Sequence, residues 1–276
     1  MPPRPDKQPP TAVTNAVERF SGFAAVYDEF RPPPPDDLSN VLESFHQVRT
    51  PELVVDLGCG PGVSTRYWAG KARQVIGIDP SQDMLDQASR VTPAENITYR
   101  LGFGHATGLP EACAEIVTCS QSFHWMEPVS TLAEVARILK PGGVLAVYDK
   151  EAFPVMPDWR AEQAYREFFT HIKELDRRLG VTDRVSQFPK GEHGERLRQS
   201  GHFRFVREVD LHQVVMGNAH QLSGGAEAYG LVQSLRKAGV SDEEMGLVAL
   251  RKAAQELLGD ELKPWYWSTH LVVGVK

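Results

Sequence analysis

Glu52-Leu-Val-Val-Asp-Leu-Gly-Cys-Gly-Pro-Gly62 is the stretch on which the reading of the chain turns. Its first half is an apolar, β-branched run of strand length. Its second half is a glycine turn, and Val63 to Lys71 follows as a helix. Glycines let the backbone turn tightly and let a ligand approach with no Cβ in the way. The helix N-terminus beyond them offers free N–H groups and a partial positive charge. A nicotinamide-binding turn spaces its glycines GxGxxG, with pyrophosphate on the helix end. Here the spacing is Gly58-x-Gly60-x-Gly62, so the third glycine comes one position early. Asp56 also precedes the turn. A carboxylate there repels a pyrophosphate and suits a ligand that carries an ammonium group.

Outward from this stretch, strand-length apolar runs alternate with helical segments as far as residue 149. Gln74–Ile78 is the next strand, and Ser81 caps a helix that runs to about Arg90. Ile97–Leu101 and Glu115–Ser120 are the third and fourth strands. Thr131 to Leu139 is a helix stopped by Pro141-Gly142-Gly143, and Val144–Tyr148 is the fifth strand. Alternation of this kind predicts a doubly wound α/β fold, with a mostly parallel sheet covered by helices on both faces. Phe203–Val215 and Ser268–Val275 bring the strands to seven. Two helical insertions, at 155–185 and 218–260, each precede one of these strands and return to the sheet. The first carries Tyr165, Phe168, Phe169, Ile172, Leu175 and Leu179 at helical spacing, with Gly180 at its end. The second contains the capping box Ser241-Asp-Glu-Glu244, expected to open a helix ending near Gly259. Ligands in such sheets bind outside the carboxyl ends of the strands, so the insertions are expected to form a lid there.

Asp79 closes the second strand, 19 residues after Gly60. A carboxylate so placed can accept both ribose hydroxyls of an adenosine ligand. Pro80 and Met84 stand next to it, where they can pack on the adenine face.

With these residues in hand, the sequence resembles the class I S-adenosylmethionine-dependent methyltransferases. DLGCGPG (56–62) resembles the family's first motif and GIDPSQDML (77–85) its second. LGFGHATGLP (101–110) is similar to the adenine-contacting loop, and LKPGGVLAVYD (139–149) to the approach to the fifth strand. FSGFAAVYDEFRP (20–32), SFHWME (122–127) and PWYWSTHLVVGVK (264–276) narrow the likeness to a trans-aconitate methyltransferase-like, small-molecule subgroup. The resemblance implies a Rossmann-like core over 16–150, with 151–276 supplying lid helices and the last strands, and S-adenosyl-L-methionine as cofactor. It implies that Gly58, Cys59 and Gly60 line the methionine part, Asp79 holds the ribose, and Gly104, His105 and Ala106 approach the adenine. Ser120 and Gln121 are expected at the methionine end, with Tyr27 and Arg31 closing the site from an N-terminal helix. Two positions depart from the family pattern: His105 and Glu115 stand where a loop acid and an aspartate are common.

Transfer of a methyl from a sulfonium is an in-line displacement, which needs the acceptor held near the methyl carbon in a dry, aromatic site. Candidates for its walls are Phe20, Phe23, Tyr27, Phe123 and Trp125, joined by Trp265, Tyr266 and Trp267. His124 stands just beyond a strand's carboxyl end and is the candidate general base for a hydroxyl acceptor. Arg31 can pair with the carboxylate of the cofactor or of an acidic substrate. The expected reaction is O-methylation of a small molecule, with transfer to carbon or nitrogen as further options. A cyclase or pericyclic catalyst that keeps the methyl is the alternative on the same fold.

Composition bounds the partners. The 276 residues carry a net charge of −6 with no Lys/Arg block, which argues against nucleic acid. No apolar run reaches the length of a membrane helix. The Pro-rich N-terminal residues 1–15 read as a mobile tail without a signal-peptide core. Three cysteines without framework spacing predict reduced thiols and a cytoplasmic protein. No HExxH or paired Cys/His set is present, so no metal site is expected. Oligomeric state has no sequence signature here.

Overall fold

The computed structural model describes residues 22–182 and 187–276. The Pro-rich tail and Phe20 lie outside them. Seven strands form one sheet: β1 (Leu53–Leu57), β2 (Gln74–Asp79), β3 (Ile97–Leu101), β4 (Ala114–Ser120), β5 (Leu139–Lys150), β6 (Phe205–Gly217) and β7 (Lys263–Val275). Their order is β3-β2-β1-β4-β5-β7-β6. β1 to β5 are parallel, and β7 runs antiparallel between β5 and β6. This is the doubly wound α/β fold.

Alternation along the strands divides the interior into two layers. Val55, Leu57, Val117, Cys119, Leu145 and Val147 face the Pro128–Ile138 helix and Leu197 of the His193–Gln199 helix. Their neighbours Val54, Val75, Ile116, Val144 and Ala146 face Leu38 and Leu42 of the Leu38–His46 helix, together with Trp68. A buried Val or Leu contributes about 1.5–3 kcal/mol, so a one-residue slip of register would forfeit both layers at once.

A third core lies outside the sheet. The helices Trp159–Leu179, Ala219–Glu227, Gly230–Lys237 and Leu247–Leu258 bury Tyr165, Phe168, Phe169, Ile172, Leu222, Val232, Leu235 and Leu250 among themselves, with Trp265 from β7. Asp158 caps the long helix through the Arg160 N–H, and Gly180 ends it at φ 66°. The N-terminal Ala24–Phe30 helix packs on this group. A Cβ at Gly224 would lie 2.1 Å from the Phe30 ring, so the two helices touch only because that position is glycine.

One expected helix start is corrected. The Ser241 and Glu244 side chains do exchange the capping-box hydrogen bonds. The helix nevertheless begins at Leu247, because Gly246 at φ 77° interrupts the turn that the box closes. The helix after the glycine turn is also shorter than expected, Val63–Tyr67.

Candidate active site

β1 and β4 are neighbours although four elements separate them in the chain. The winding reverses between them, so the turn after β1 and the segment after β4 open side by side at the carboxyl edge. This is where doubly wound sheets leave a crevice.

The turn is built by backbone constraints. The Gly58 and Cys59 N–H groups donate to the Ile78 carbonyl at 2.7 and 3.1 Å, which folds the turn over the end of β2. Gly58 is left-handed at φ 66°, and a Cβ there would sit 2.6 Å from Ser122 Cβ. Ser122 in turn donates to the Leu57 carbonyl at 2.6 Å, locking the segment after β4 against the turn. Asp79 accepts from the Gly60 and Ser81 N–H groups at 2.9 and 2.8 Å. Burial outweighs these bonds and pushes its carboxyl up to about 6.

Asp56 departs from the expectation of a ligand contact. It is wholly buried on the inner side of the turn and accepts from Ser64, Thr65 and Thr118 hydroxyls at 2.6, 2.7 and 2.8 Å. Burial raises its pKa against these three bonds. Its work is to tie the first turn of the following helix to β1 and β4.

Above the turn lies a cleft lined by Gly58, Cys59, Gly60, Asp79, Pro80 and Met84 on one side. Gly104, His105, Ser120, Gln121, Tyr27 and Arg31 line the other. Gly104 admits Met126, whose sulfur would lie 2.7 Å from a Cβ there. His105 stacks on Phe103. Ala106 is exposed and does not line the cleft.

A second cavity adjoins the first and shares Tyr27, Arg31, Gln121, Trp125 and Lys150 with it. Tyr165, Phe169, Tyr229, Trp265 and Trp267 give it aromatic walls. The side chains around it carry buried polar atoms without hydrogen-bond partners: Arg31 Nε, Gln221 Oε1, Trp265 Nε1 and Trp267 Nε1. Such atoms cost free energy unless something fills their valence. Phe23 and Phe123 are not among these walls. Both are buried in packing, Phe123 edge-on against His193 at 5.0 Å, because the short Phe123–Trp125 turn points Phe123 inward. Tyr266 is exposed on the other face of β7.

Gln121 lines both cavities. It holds φ at 54°, unusual for a residue with a Cβ, while its N–H bonds the Tyr148 carbonyl at 2.9 Å. Next to it, Lys150 was not legible as a site residue from the sequence, although it ends a strand at the carboxyl edge. Its Nζ donates to the Pro33 carbonyl at 3.0 Å and the Pro32 carbonyl at 3.3 Å. Burial, then the Arg31 charge, lowers its pKa to about 7. Neither cation has a carboxylate partner among the described residues. Arg31 lies over the Tyr27 ring at 4.6 Å.

His124 lines the second cavity with its Nδ1 3.6 Å from Asp149 Oδ1. Burial, then Lys190, drives its pKa down to about 3. Asp149 also meets His193 Nε2 at 3.3 Å and Lys190 Nζ at 2.8 Å. Burial pushes the Asp149 carboxyl up, and these contacts outweigh it and bring it to about 2. This cluster of four side chains was missed in the sequence, since its members are spread over some 70 positions.

Comparison with known proteins agrees with this geometry. Residues 55–147 match the family described as a methyltransferase domain. An uncharacterized methyltransferase of Schizosaccharomyces pombe is 32% identical over 129 residues, which are 46% of this chain and 51% of that protein. A Saccharomyces cerevisiae protein named "Probable S-adenosylmethionine-dependent methyltransferase CRG1" is 30% identical over 49% of this chain and 47% of its own length. The chain thus spans about half the length of the curated relatives it matches. Among solved structures, a type II methyltransferase assignment from Anaeromyxobacter dehalogenans superposes with a TM-score of 0.60 at 22% identity, covering 89% of this chain and 97% of that one. The [4+2]-cyclase SpnF superposes with a TM-score of 0.52 at 16% identity, covering 95% and 96%. At such identities these two establish the fold alone. Over residues 55–147 the chain matches a methyltransferase-domain family, and that stretch lies on the doubly wound α/β sheet.

Proposed function

We propose that the protein is an S-adenosyl-L-methionine-dependent methyltransferase that O-methylates a small, largely apolar, hydroxyl-bearing molecule. The observation that carries this reading is the junction of two cavities at Tyr27, Arg31, Gln121, Trp125 and Lys150. The first cavity suits the cofactor. Gly60 has open space where a Cβ would stand, at φ 53°, so its backbone can approach a ligand. Each Asp79 oxygen keeps a lone pair for a ribose hydroxyl beyond the N–H it already accepts. Bound there, the cofactor would supply a methyl group on a sulfonium.

The chain's own residues do the rest. Pro80, Met84 and Gly104 form the adenine end, with His105 at its rim. Trp125, Trp265 and Trp267 exclude water from the acceptor and favour a flat apolar body. We place proton removal on Lys150 rather than His124. An amine near 7 is matched to that task at neutral pH, whereas an imidazole held near 3 is a weak base. Lys150 already donates to two carbonyls, which leaves the third position on nitrogen for the acceptor's proton. Arg31 then holds the resulting oxyanion. His124 stays on the acceptor side as a polar wall. The helices of 151–276 act as the lid, consistent with the trans-aconitate-like subgroup. The acidic net charge supports a small molecule over nucleic acid as partner, and three free cysteines support a reducing, cytoplasmic setting.

The test is release of S-adenosylhomocysteine with a panel of phenols, enols and hydroxy acids. With any accepted compound, kcat/KM is expected to rise with pH through about 7, as Lys150 loses its proton. Lys150→Gln should lower it about 10²–10⁴-fold and remove that limb. Full activity in Lys150→Gln would return the base role to His124. Conversion of a substrate without S-adenosylhomocysteine would favour the cyclase class.

A further inference from the structure

We propose that His124, Asp149 and His193 form a binding site for a divalent transition-metal ion of the zinc class, beside the acceptor cavity and independent of the methyl-transfer reading. The three side chains come from three elements: the turn after β4, the end of β5 and the start of the His193–Gln199 helix. One ligand atom from each lies within 4.8 Å of the others.

The spacing is that of a coordination shell. Zinc binds imidazole nitrogen and carboxylate oxygen at about 2.0–2.2 Å, which sets tetrahedral ligands about 3.4 Å apart. His124 Nδ1 stands 3.6 Å from Asp149 Oδ1, and His193 Nε2 stands 3.3 Å from Asp149 Oδ2. Two imidazoles and one carboxylate are a donor set for zinc, iron, cobalt or nickel rather than calcium or magnesium. Burial supplies the second, independent observation. His124 Nδ1 and His193 Nε2 are buried, in side chains only 8% and 2% exposed, and neither makes a well-aligned hydrogen bond although Asp149 lies 3.6 and 3.3 Å away.

Lys190 explains how the ion-free cluster persists. Its Nζ lies 2.8 Å from Asp149 Oδ1 and 2.6 Å from Gln121 Oε1, on a turn where the side chain is 43% exposed. It neutralises Asp149, and a bound ion takes over that role while the lysine swings to solvent. Gln121 Oε1 then loses its lysine partner. Metal at His193 Nε2 places the ring hydrogen on Nδ1. The long 3.5 Å contact from Arg196 Nη1 is lost, and Arg196 keeps Pro189 and Glu192. Such an ion would clamp β4 and β5 to the segment around residue 190 and leave an open position beside the acceptor cavity.

The experiment is calorimetric titration of the chelator-stripped 276-residue chain with zinc chloride, paired with cobalt chloride titration followed by its visible ligand-field bands. One zinc per chain at micromolar affinity or tighter, with intense bands of four- or five-coordinate cobalt, is expected. His193→Ala and Asp149→Asn should each weaken binding at least tenfold while S-adenosylhomocysteine affinity stays unchanged, which also shows that they fold. Lys190→Ala, at an exposed position, should tighten zinc binding. Absence of stoichiometric binding in the wild type overturns the proposal. So does equal binding by the wild type and His193→Ala, or weaker binding by Lys190→Ala. Because S-adenosylhomocysteine binding is read separately, failure of the metal site leaves the methyltransferase reading standing.

Discussion

Gly58→Ala is the substitution whose cost is most directly set by the geometry. The new Cβ would lie 2.6 Å from Ser122 Cβ, 3.0 Å from Met126 Cε and 3.1 Å from Ser122 Oγ. Carbon atoms pack at about 3.5–4.0 Å, so Ser122 must retreat by roughly 1 Å. That retreat breaks its 2.6 Å bond to the Leu57 carbonyl, worth about 1 kcal/mol. The left-handed φ of 66° adds about 1–2 kcal/mol for a residue with a Cβ. Overpacking of a rigid junction adds about 1–3 kcal/mol. The expected total is about 3–6 kcal/mol, or a fall in Tm of roughly 6–24 °C for a chain of this size. If the turn moves instead of the whole fold weakening, the loss appears in S-adenosylhomocysteine affinity as at least about a hundredfold. Gly60→Ala is the control. It has the same sign of φ but open space around the Cβ, so only the backbone cost of about 1–2 kcal/mol applies. Scanning fluorimetry and calorimetry on both variants read the two effects. A Gly58→Ala protein that melts and binds like Gly60→Ala would falsify the proposed contact between the turn and Ser122.

Further outcomes follow from other residues. Asp79 must be ionised to accept both ribose hydroxyls, and its carboxyl titrates near 6. S-adenosylhomocysteine affinity should therefore fall about tenfold per pH unit below that point, and Asp79→Asn should bind weakly with a flat profile from pH 5 to 8. A wild-type affinity independent of pH over that range contradicts the assignment. In stability the same shift has the opposite sign. The folded carboxyl binds its proton more tightly than the unfolded one at about 3.9, so this group disfavours folding above 6 and the penalty fades as pH falls toward 4. Asp79→Asn should therefore melt higher than the wild type at pH 7, with the gap closing near pH 4. Gly224→Val should push Phe30 off the Ala219–Glu227 helix, since the Cβ would fall 2.1 Å from its ring. The expected result is a loss of about 1–3 kcal/mol and a raised KM for the acceptor, with cofactor affinity retained within a few-fold. Unchanged melting would mean that the two helices are not in contact.

The sheet was legible because its signals are local and agree. Each central strand is an apolar run flanked by a glycine or cap, and Gly58, Gly62 and Ser81 mark turns that only certain residues permit. What failed to read locally was direction. Asp56 alternates with Val55 and Leu57, but the sequence does not say whether its face is the ligand or the helix beneath. The structure puts Ser64 and Thr65 there. Phe123 and Trp125 look equivalent in sequence, and a single turn sends one into the core and the other into the cavity. The Ser241–Glu244 box closes a single turn and does not start the helix, because Gly246 breaks the continuation. Lys150 and His193 lie in no motif, and Asp149 only ends the 139–149 stretch, with nothing there to mark its side chain. Their significance arises only when the end of β5 meets the segment near residue 190, a contact the sequence pattern does not encode.

The most direct test of the account is calorimetric titration of the wild-type chain with S-adenosylhomocysteine and, in parallel, with NADH. Both are adenosine ligands that a glycine turn followed by Asp79 could admit on fold alone. The account predicts one micromolar site for S-adenosylhomocysteine, lost by at least about a hundredfold in Gly58→Ala, and no saturable binding of NADH. Binding of NADH with no heat from S-adenosylhomocysteine would contradict it.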